Sequence, residues 1–362
     1  MSEMNMRGFL MAGAAAAALM MAAGCAKQMS TPANEAAKRY FDAWMHVHHP
    51  DLTATENWIY IEEETAGEGK PADSAYVFVT YTAMDLSGNV SATSDSLMAK
   101  RLNTWQPQNY YGPVVWNRTS QQAGIYYSMS GMNVGGKRRT IIPGWLMTYS
   151  RYSTEEEYLA NVTDGTNSIY EIRIVDQTDD ITRWQVDSMS RFVGKDPLDL
   201  FVEMTPADTT EYGFYYEGVI SSEEGIEYDF EKMDTDTAST LFPSDTTVYI
   251  NYTGRLLNGQ VFDTTIEKTA KDHNIYNSGR TYEPVSVSWG ENYSGITMGS
   301  SSSSVITGFA KTLWRMSCVK GVKSATGLFW SNFGYGYSGS GNTIPAYAPL
   351  IFEIEFTEEP EG

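Results

Sequence analysis

Three residues in this chain are spaced to build a recognition surface: Tyr252, Phe262 and Asp263. They lie in VYINYTGRLLNGQVFD, residues 248–263, which alternates apolar and polar residues, breaks at Asn258-Gly259 and resumes with an aromatic–acid pair. Val248, Ile250 and Tyr252 fall at period two, one face of a strand. Asn-Gly between apolar runs predicts a tight hairpin, because both residues tolerate positive φ. The hairpin sets Tyr252 and the Phe262-Asp263 pair on neighbouring strands, sharing one concave wall. Farther along, Ile306, Phe309, Leu313 and Met316 recur at helical spacing in VITGFAKTLWRM, 305–316. An apolar wall carrying a hydroxyl and a carboxylate is the make-up of a small-ligand site.

The elements that must position these residues occur twice. Ala37, Tyr40, Phe41, Trp44 and Met45 form an amphipathic helix stopped by Pro50, with Thr31-Pro32 as its cap and first turn. Ile59-Tyr60-Ile61 opens a β-rich region, YVFVTYT (76–82) is a strand, and Ser87-Gly88-Asn89 turns it. GIYYSMSGM (124–132) reads as one short helix, NVGGKRRTIIPGW (133–145) as a turn and strand, and SIYEIRIV (168–175) as a closing strand. A second amphipathic helix is predicted over 181–193, with Ile181, Trp184, Met189, Phe192 and Val193 on its apolar side. The order then recurs: Phe214-Tyr215-Tyr216 answers Ile59-Tyr60-Ile61, Tyr252 answers Tyr81, Gly259 answers Gly88, Met316 answers Met132, and LIFEIEF answers SIYEIRI. Matching segments in the same order in both halves read as a tandem duplication.

YTG, a short spacer, an Asn-Gly turn and FD resemble the opening of an FKBP-type peptidyl-prolyl isomerase domain. VITGFAKTLWRM resembles that family's Val-Ile-Pro-Gly-Trp segment and helix, with Phe309 where the family has Trp. Phe333-Gly334-Tyr335-Gly336, Thr343-Ile344-Pro345 and Leu350-Ile351-Phe352-Glu353 resemble its later motifs. The resemblance implies an α+β fold of two tandem FKBP-like domains, each an antiparallel sheet wrapped around a short helix and each preceded by an amphipathic helix. It implies catalytic roles for Tyr252, Phe262, Asp263 and Tyr335. It implies substrate contacts for Val287, Val305, Ile306, Phe309, Ile344 and Phe352, with proline-containing polypeptides as clients and no cofactor. Val285 and Val287 stand where the family shows aromatic side chains, and 290–304 (GENYSGITMGSSSSS) is longer than usual, its Ser run expected to be flexible. In the first unit Ser91-Ala92 replaces Phe-Asp, Gln121-Gln122 replaces Val-Ile, and Ile125 replaces the floor aromatic. That unit is therefore expected to be degenerate and non-catalytic.

The amino terminus is expected to direct export. Phe9 to Ala23 is an uncharged Ala- and Met-rich run after Arg7, ending in Ala22-Ala23-Gly24-Cys25. It suits the core of a signal peptide and is short for a membrane span. Small residues before Cys25 resemble a lipobox, which implies lipidation of Cys25, a membrane anchor, and an outer-membrane lipoprotein facing the periplasm or the cell surface. The expected organisation is a signal peptide over 1–24, a lipidated tether and helix over 25–57, the degenerate domain over 58–177, a linker helix over 178–212, the isomerase domain over 213–358, and a tail over 359–362.

Composition narrows the alternatives. A net charge of −20, from 25 basic and 45 acidic residues, argues against nucleic acid, which needs a basic face. Two cysteines, Cys25 and Cys318, exclude a disulfide framework. His46, His48 and His49 read as solvated surface at a helix end, so no metal site is expected. Asp95-Ser96-Leu97 and Asp236-Thr237-Ala238 resemble short O-glycosylation motifs. The competing function is a non-catalytic binding lipoprotein that uses both FKBP-like units to hold partners. A glycan-handling protein, suggested by the Trp and Tyr content, has no paired carboxylates to support it.

Overall fold

The computed structural model describes residues 33–194, 213–220, 242–318 and 322–360. The expected signal peptide, Cys25, Thr31-Pro32, the second half of the expected linker and Asp236-Thr237-Ala238 lie outside these residues.

The chain builds two antiparallel sheets of the same strand order, each carrying a helix on one face, the α+β architecture expected. The first contains β1 (Tyr60–Thr65), β2 (Tyr76–Met84), β3 (Val90–Thr93), β4 (Val114–Asn117), β5 (Lys137–Ile142) and β6 (Ser168–Thr178), arranged β1-β5-β6-β2-β3 with β4 also on β2. The second contains β7 (Phe214–Ile220), β8 (Thr247–Leu256), β9 (Val261–Thr264), β10 (Val285–Ser288), β11 (Thr297–Met298), β12 (Ser303–Ser304), β13 (Val322–Phe329) and β14 (Leu350–Thr357). Its path is β7-β13-β14-β8-β10, the counterpart of β1-β5-β6-β2-β4, with β9 beside β8 as β3 is beside β2. The extra stretch 290–304 is a sheet extension: β11 pairs with β10, and β12 pairs with β11. The Ser run expected to be flexible thus ends in strand β12, paired with β11.

Helices fill the two cores. Helix α1 (Ala33–His48) buries Phe41 and Met45 against the first sheet, while Tyr40 points to solvent. His48 spends its ring nitrogen on the Trp44 carbonyl and stacks on the Trp44 ring, as a surface histidine at a helix end does. The short α2 (Ser96–Arg101) is capped by Asp95, whose side chain accepts from the amides of Leu97 and Met98. Helix α3 (Ala123–Met129) lies on the first sheet, followed by α4 (Glu155–Asn161) and α5 (Ile181–Val193). In the second half, α6 (Glu267–Asp272) answers α2, and α7 (Thr307–Cys318) answers α3. Phe309, Leu313 and Met316 of α7 are buried in one cluster with Phe329 and Phe352, the stripe the spacing predicts.

The duplication extends to single hydrogen bonds. Thr82 bonds Thr93 and Thr253 bonds Thr264, each at 2.9 Å. The Tyr81 amide donates to Ser94 Oγ, and the Tyr252 amide to Thr265 Oγ1. Ser128 donates to the Gly124 carbonyl, and Thr312 to that of Gly308. The shared turn differs from the one expected. Gly259 N–H donates to the Leu256 carbonyl and Leu256 N–H to that of Gln260, each at 2.9 Å, and of the Asn-Gly pair only Gly259 has positive φ (+85°). The loop is therefore three residues closed by a left-handed glycine. Gly88, at φ +82°, closes the first unit's loop identically, with Asp85 and Asn89 as the bonding ends.

Helix α5 departs from its predicted face. Phe192 is exposed, and the inward residues are Ile181, Gln185, Val186, Met189 and Ser190. Val186 and Met189 belong to the second core, whereas Trp184 packs on Phe78 of the first sheet, with ring centroids 4.2 Å apart. Gln185, a polar residue, faces inward because its Oε1 accepts from the buried Ser331 amide at 2.9 Å.

Candidate active site

The hairpin β8–β9 sets Gly254 opposite Asp263 and Thr253 opposite Thr264, so Tyr252 and the Phe262-Asp263 pair share one wall as predicted. Gly254 is required there. A Cβ at that position would lie 2.6 Å from the Phe262 ring and 3.0 Å from Phe352, so the bare backbone lets both rings lie against the strand. Across from them α7 presents Phe309. The rings meet edge to face, Tyr252 with Phe309 at 5.4 Å, Phe309 with Phe352 at 5.0 Å and Phe262 with Phe352 at 5.6 Å.

These side chains enclose a cavity of about 440 Å³. Tyr252, Phe262, Asp263, Val305, Ile306, Phe309, Tyr335, Ile344 and Phe352 all line it. Val287 does not. It is fully buried in β10, paired with Val248 of β8 and Met298 of β11, and does not reach the cavity where the substrate contact was expected. Its place on the wall is taken by Met298 from β11, joined by Ser304, Ser340, Gly341 and Thr343. No sequence signal marked Met298. Recognising 290–304 as added strands was the step required.

The polar groups form one chain at the rim. Tyr252 Oη donates to Asp263 Oδ2 at 2.7 Å, and Arg280 Nη1 donates to Asp263 Oδ1 at 2.5 Å. Burial, then the adjacent Asp263 charge and hydrogen bond, push the Tyr252 hydroxyl well above the ordinary tyrosine range. Burial works against the Arg280 charge, but the Asp263 carboxylate outweighs it and holds the guanidinium above its usual value. Tyr335 is raised by burial, with a smaller push from Asp263, yet remains a third exposed at the mouth (37%). Tyr252 and Tyr335 are thus neutral donors at neutral pH, and Asp263 is an acceptor held from two sides. Among the described residues no group of His, Cys, Asp and Glu side chains is arranged to hold a metal ion.

The corresponding place in the first unit is built differently. The sheet register sets Ala92 opposite Ala83 where Asp263 stands opposite Gly254. The Gln121 and Gln122 amides are spent on the carbonyls of Asn117 and Met147, and the Trp116 indole packs on Tyr81 at 5.0 Å.

Residues 240–357 match the model of the FKBP-type peptidyl-prolyl cis-trans isomerase family. The C-terminal part of the chain carries an FKBP-type isomerase domain. Among solved structures the chain is similar to FkpA from Escherichia coli, at 14% identity over 50% of this chain and 75% of that one, with a TM-score of 0.28. It is similar to a peptidyl-prolyl cis-trans isomerase from Pseudomonas syringae pv. tomato, at 20% identity over 40% and 94% of the two chains and a TM-score of 0.28. It is also similar to the three FKBP domains of wheat FKBP73, at 15% identity over 83% and 94% with a TM-score of 0.24. No curated protein sequence matches the chain. The FKBP match covers the whole hairpin, α7 and the closing strand β14, and hence every cavity-lining residue.

Proposed function

We propose that the C-terminal unit catalyses cis–trans isomerisation of X-Pro bonds in polypeptide clients. The observation that carries this reading is the aromatic cup of Tyr252, Phe262, Phe309 and Phe352 rimmed by the Tyr252–Asp263–Arg280 chain. Rotation about an X-Pro bond faces a barrier of about 18–20 kcal/mol, set by amide resonance. Resonance makes the planar amide more polar than the twisted one. An apolar cup that takes up the proline ring therefore disfavours the ground state relative to the transition state. The Tyr335 hydroxyl and the Ile306 backbone N–H are the donors we assign to the substrate carbonyls. Asp263 orients Tyr252 and Arg280 and transfers no proton.

The test is a protease-coupled assay on a proline tetrapeptide with the full chain. The wild type accelerates isomerisation, and Phe262→Ala or Tyr335→Ala lowers kcat/KM about tenfold or more, a loss of about 1.4 kcal/mol in transition-state binding. A folded wild type no faster than the uncatalysed background would instead favour the non-catalytic binding reading. We assign the first unit to that binding class, because Ala92 stands where Asp263 does in the second unit, Trp116 packs on Tyr81, and Gln121 and Gln122 bond backbone carbonyls.

From the apolar run before Cys25 we further propose that the chain is an exported lipoprotein held at Cys25 that assists folding of other exported proteins. Cell fractionation checks this: Cys25→Ser moves the protein from the membrane to the soluble fraction, and an unchanged distribution removes the anchor.

A further inference from the structure

Behind the Phe262 wall lies a second cavity, about 490 Å³. It is lined by the 274–282 segment after α6, including Asn274, Tyr276, Asn277 and Ser278, and on its far side by Gln108 of the first unit. Its lining is rich in amides and hydroxyls where the aromatic cup is apolar. The 274–282 segment is held in shape: the Asn277 backbone N–H donates to Tyr282 Oη at 2.9 Å, and the Tyr276 and Tyr282 rings stack at 5.3 Å. The first unit folds its own copy the same way, with the Gln106 backbone N–H donating to Tyr111 Oη at 3.1 Å. That copy reaches across to the second unit.

Two tethers fix it there. Gln260 Nε2 donates to the carbonyls of Gln108 and Asn109 at 3.2 and 3.1 Å, and the Tyr110 amide donates to the Asn342 carbonyl at 2.8 Å. Gln260 lies two residues before Phe262. Asn342 sits between Gly341 and Thr343, both on the rim of the cup. The loop from the first unit therefore grips both rim segments and contributes Gln108 to the lining of the polar cavity.

We propose that this polar cavity is a subsite for the residues flanking the target proline in an extended polypeptide, and that the first unit completes it. The identity of the ligand rests on the isomerase reading above. The lining selects Ser, Thr, Asn and Gln side chains and peptide groups over large apolar ones, since an apolar occupant would strip water from the amides without replacing its hydrogen bonds. A short proline peptide fills the cup alone, and a longer one engages both cavities.

The experiment uses the full chain, a proline tetrapeptide, and fluorescein-labelled fifteen-residue peptides in which Ala-Pro is flanked either by Ser and Asn or by Leu. Both kcat/KM and the dissociation constant from fluorescence anisotropy are measured. Gln108→Trp fills the cavity from an exposed position, and Gln260→Ala removes a tether; far-UV circular dichroism checks that both remain folded. In the wild type the Ser/Asn peptide binds more tightly than the Leu peptide. Each variant weakens Ser/Asn peptide binding, and lowers the ratio of its kcat/KM to that of the tetrapeptide, by about tenfold. Equal effects on long and short peptides, no effect on either, or a wild-type preference for Leu flanks would overturn the proposal. A wild type that isomerises nothing but loses peptide binding in both variants would overturn the isomerase reading and leave the subsite standing.

Discussion

At the scale of residues, the rim of the cup is a hydrogen-bond chain in which Asp263 is the shared acceptor. Removing the Tyr252 hydroxyl leaves the carboxylate held by Arg280 alone. Hydrogen bonds to charged groups contribute about 1.5–3 kcal/mol, and a partly exposed carboxylate lies at the low end. Tyr252→Phe is therefore expected to cost about 1–2 kcal/mol by urea denaturation at pH 7. The same group sets a pH dependence. Its folded pKa is raised, so the folded state holds a proton that the unfolded state gives up above about pH 10. Its contribution is full below that pH and is lost as pH rises through the folded value. The alkaline decline in stability should be shallower in Tyr252→Phe than in the wild type, and parallel curves would mean that burial does not perturb this hydroxyl. The residues of this rim were legible because Tyr252, Phe262 and Asp263 sit at fixed offsets around one turn. Val287 was placed in the cup by the resemblance alone, which carries no information about the added strand β11 that supplies Met298 there.

At the scale of elements, each sheet holds its helix so closely that only glycine fits between them. A Cβ on Gly308 would lie 2.3 Å from the Phe329 ring, and one on Gly124 would lie 2.2 Å from an Ile142 methyl. Either alanine must push its helix away from the sheet, at about 1–3 kcal/mol for overpacking. The two differ in function, because Gly308 adjoins the Phe309 floor. Gly308→Ala should lower both the melting temperature and kcat/KM, and Gly124→Ala only the melting temperature. Equal loss of activity in both would disconnect α7 from the site. Element existence was readable from periodicity: β6, α3 and α5 fall within a few residues of their predicted spans. The errors arose where local pattern competes with tertiary context. The Asn-Gly turn took a three-residue form, and on α5 Gln185 is buried as the acceptor for the Ser331 amide while Phe192, two turns on along the same face, is exposed.

At the scale of the whole molecule, α5 packs on both units. Trp184 packs on the first sheet, Val186 and Met189 lie in the second core, and Gln185 bonds the segment that leads to Phe333 and Tyr335. None of this was legible, since contacts between units recur with no period and appear only once both folds are placed. Gln185→Leu keeps the volume but leaves the Ser331 amide buried without its acceptor, a cost of about 1–3 kcal/mol that falls on the second unit alone. Urea unfolding of the full chain, followed in parallel by tryptophan fluorescence and far-UV circular dichroism, reads the consequence. The wild-type probes should coincide in one transition. In Gln185→Leu they should separate, the second unit unfolding first and taking the isomerase activity with it. Coincident transitions at an unchanged midpoint would show that α5 is a passive connector, leaving the coupling of the units to the Gln260 and Tyr110 tethers and the Tyr76–Tyr347 ring contact.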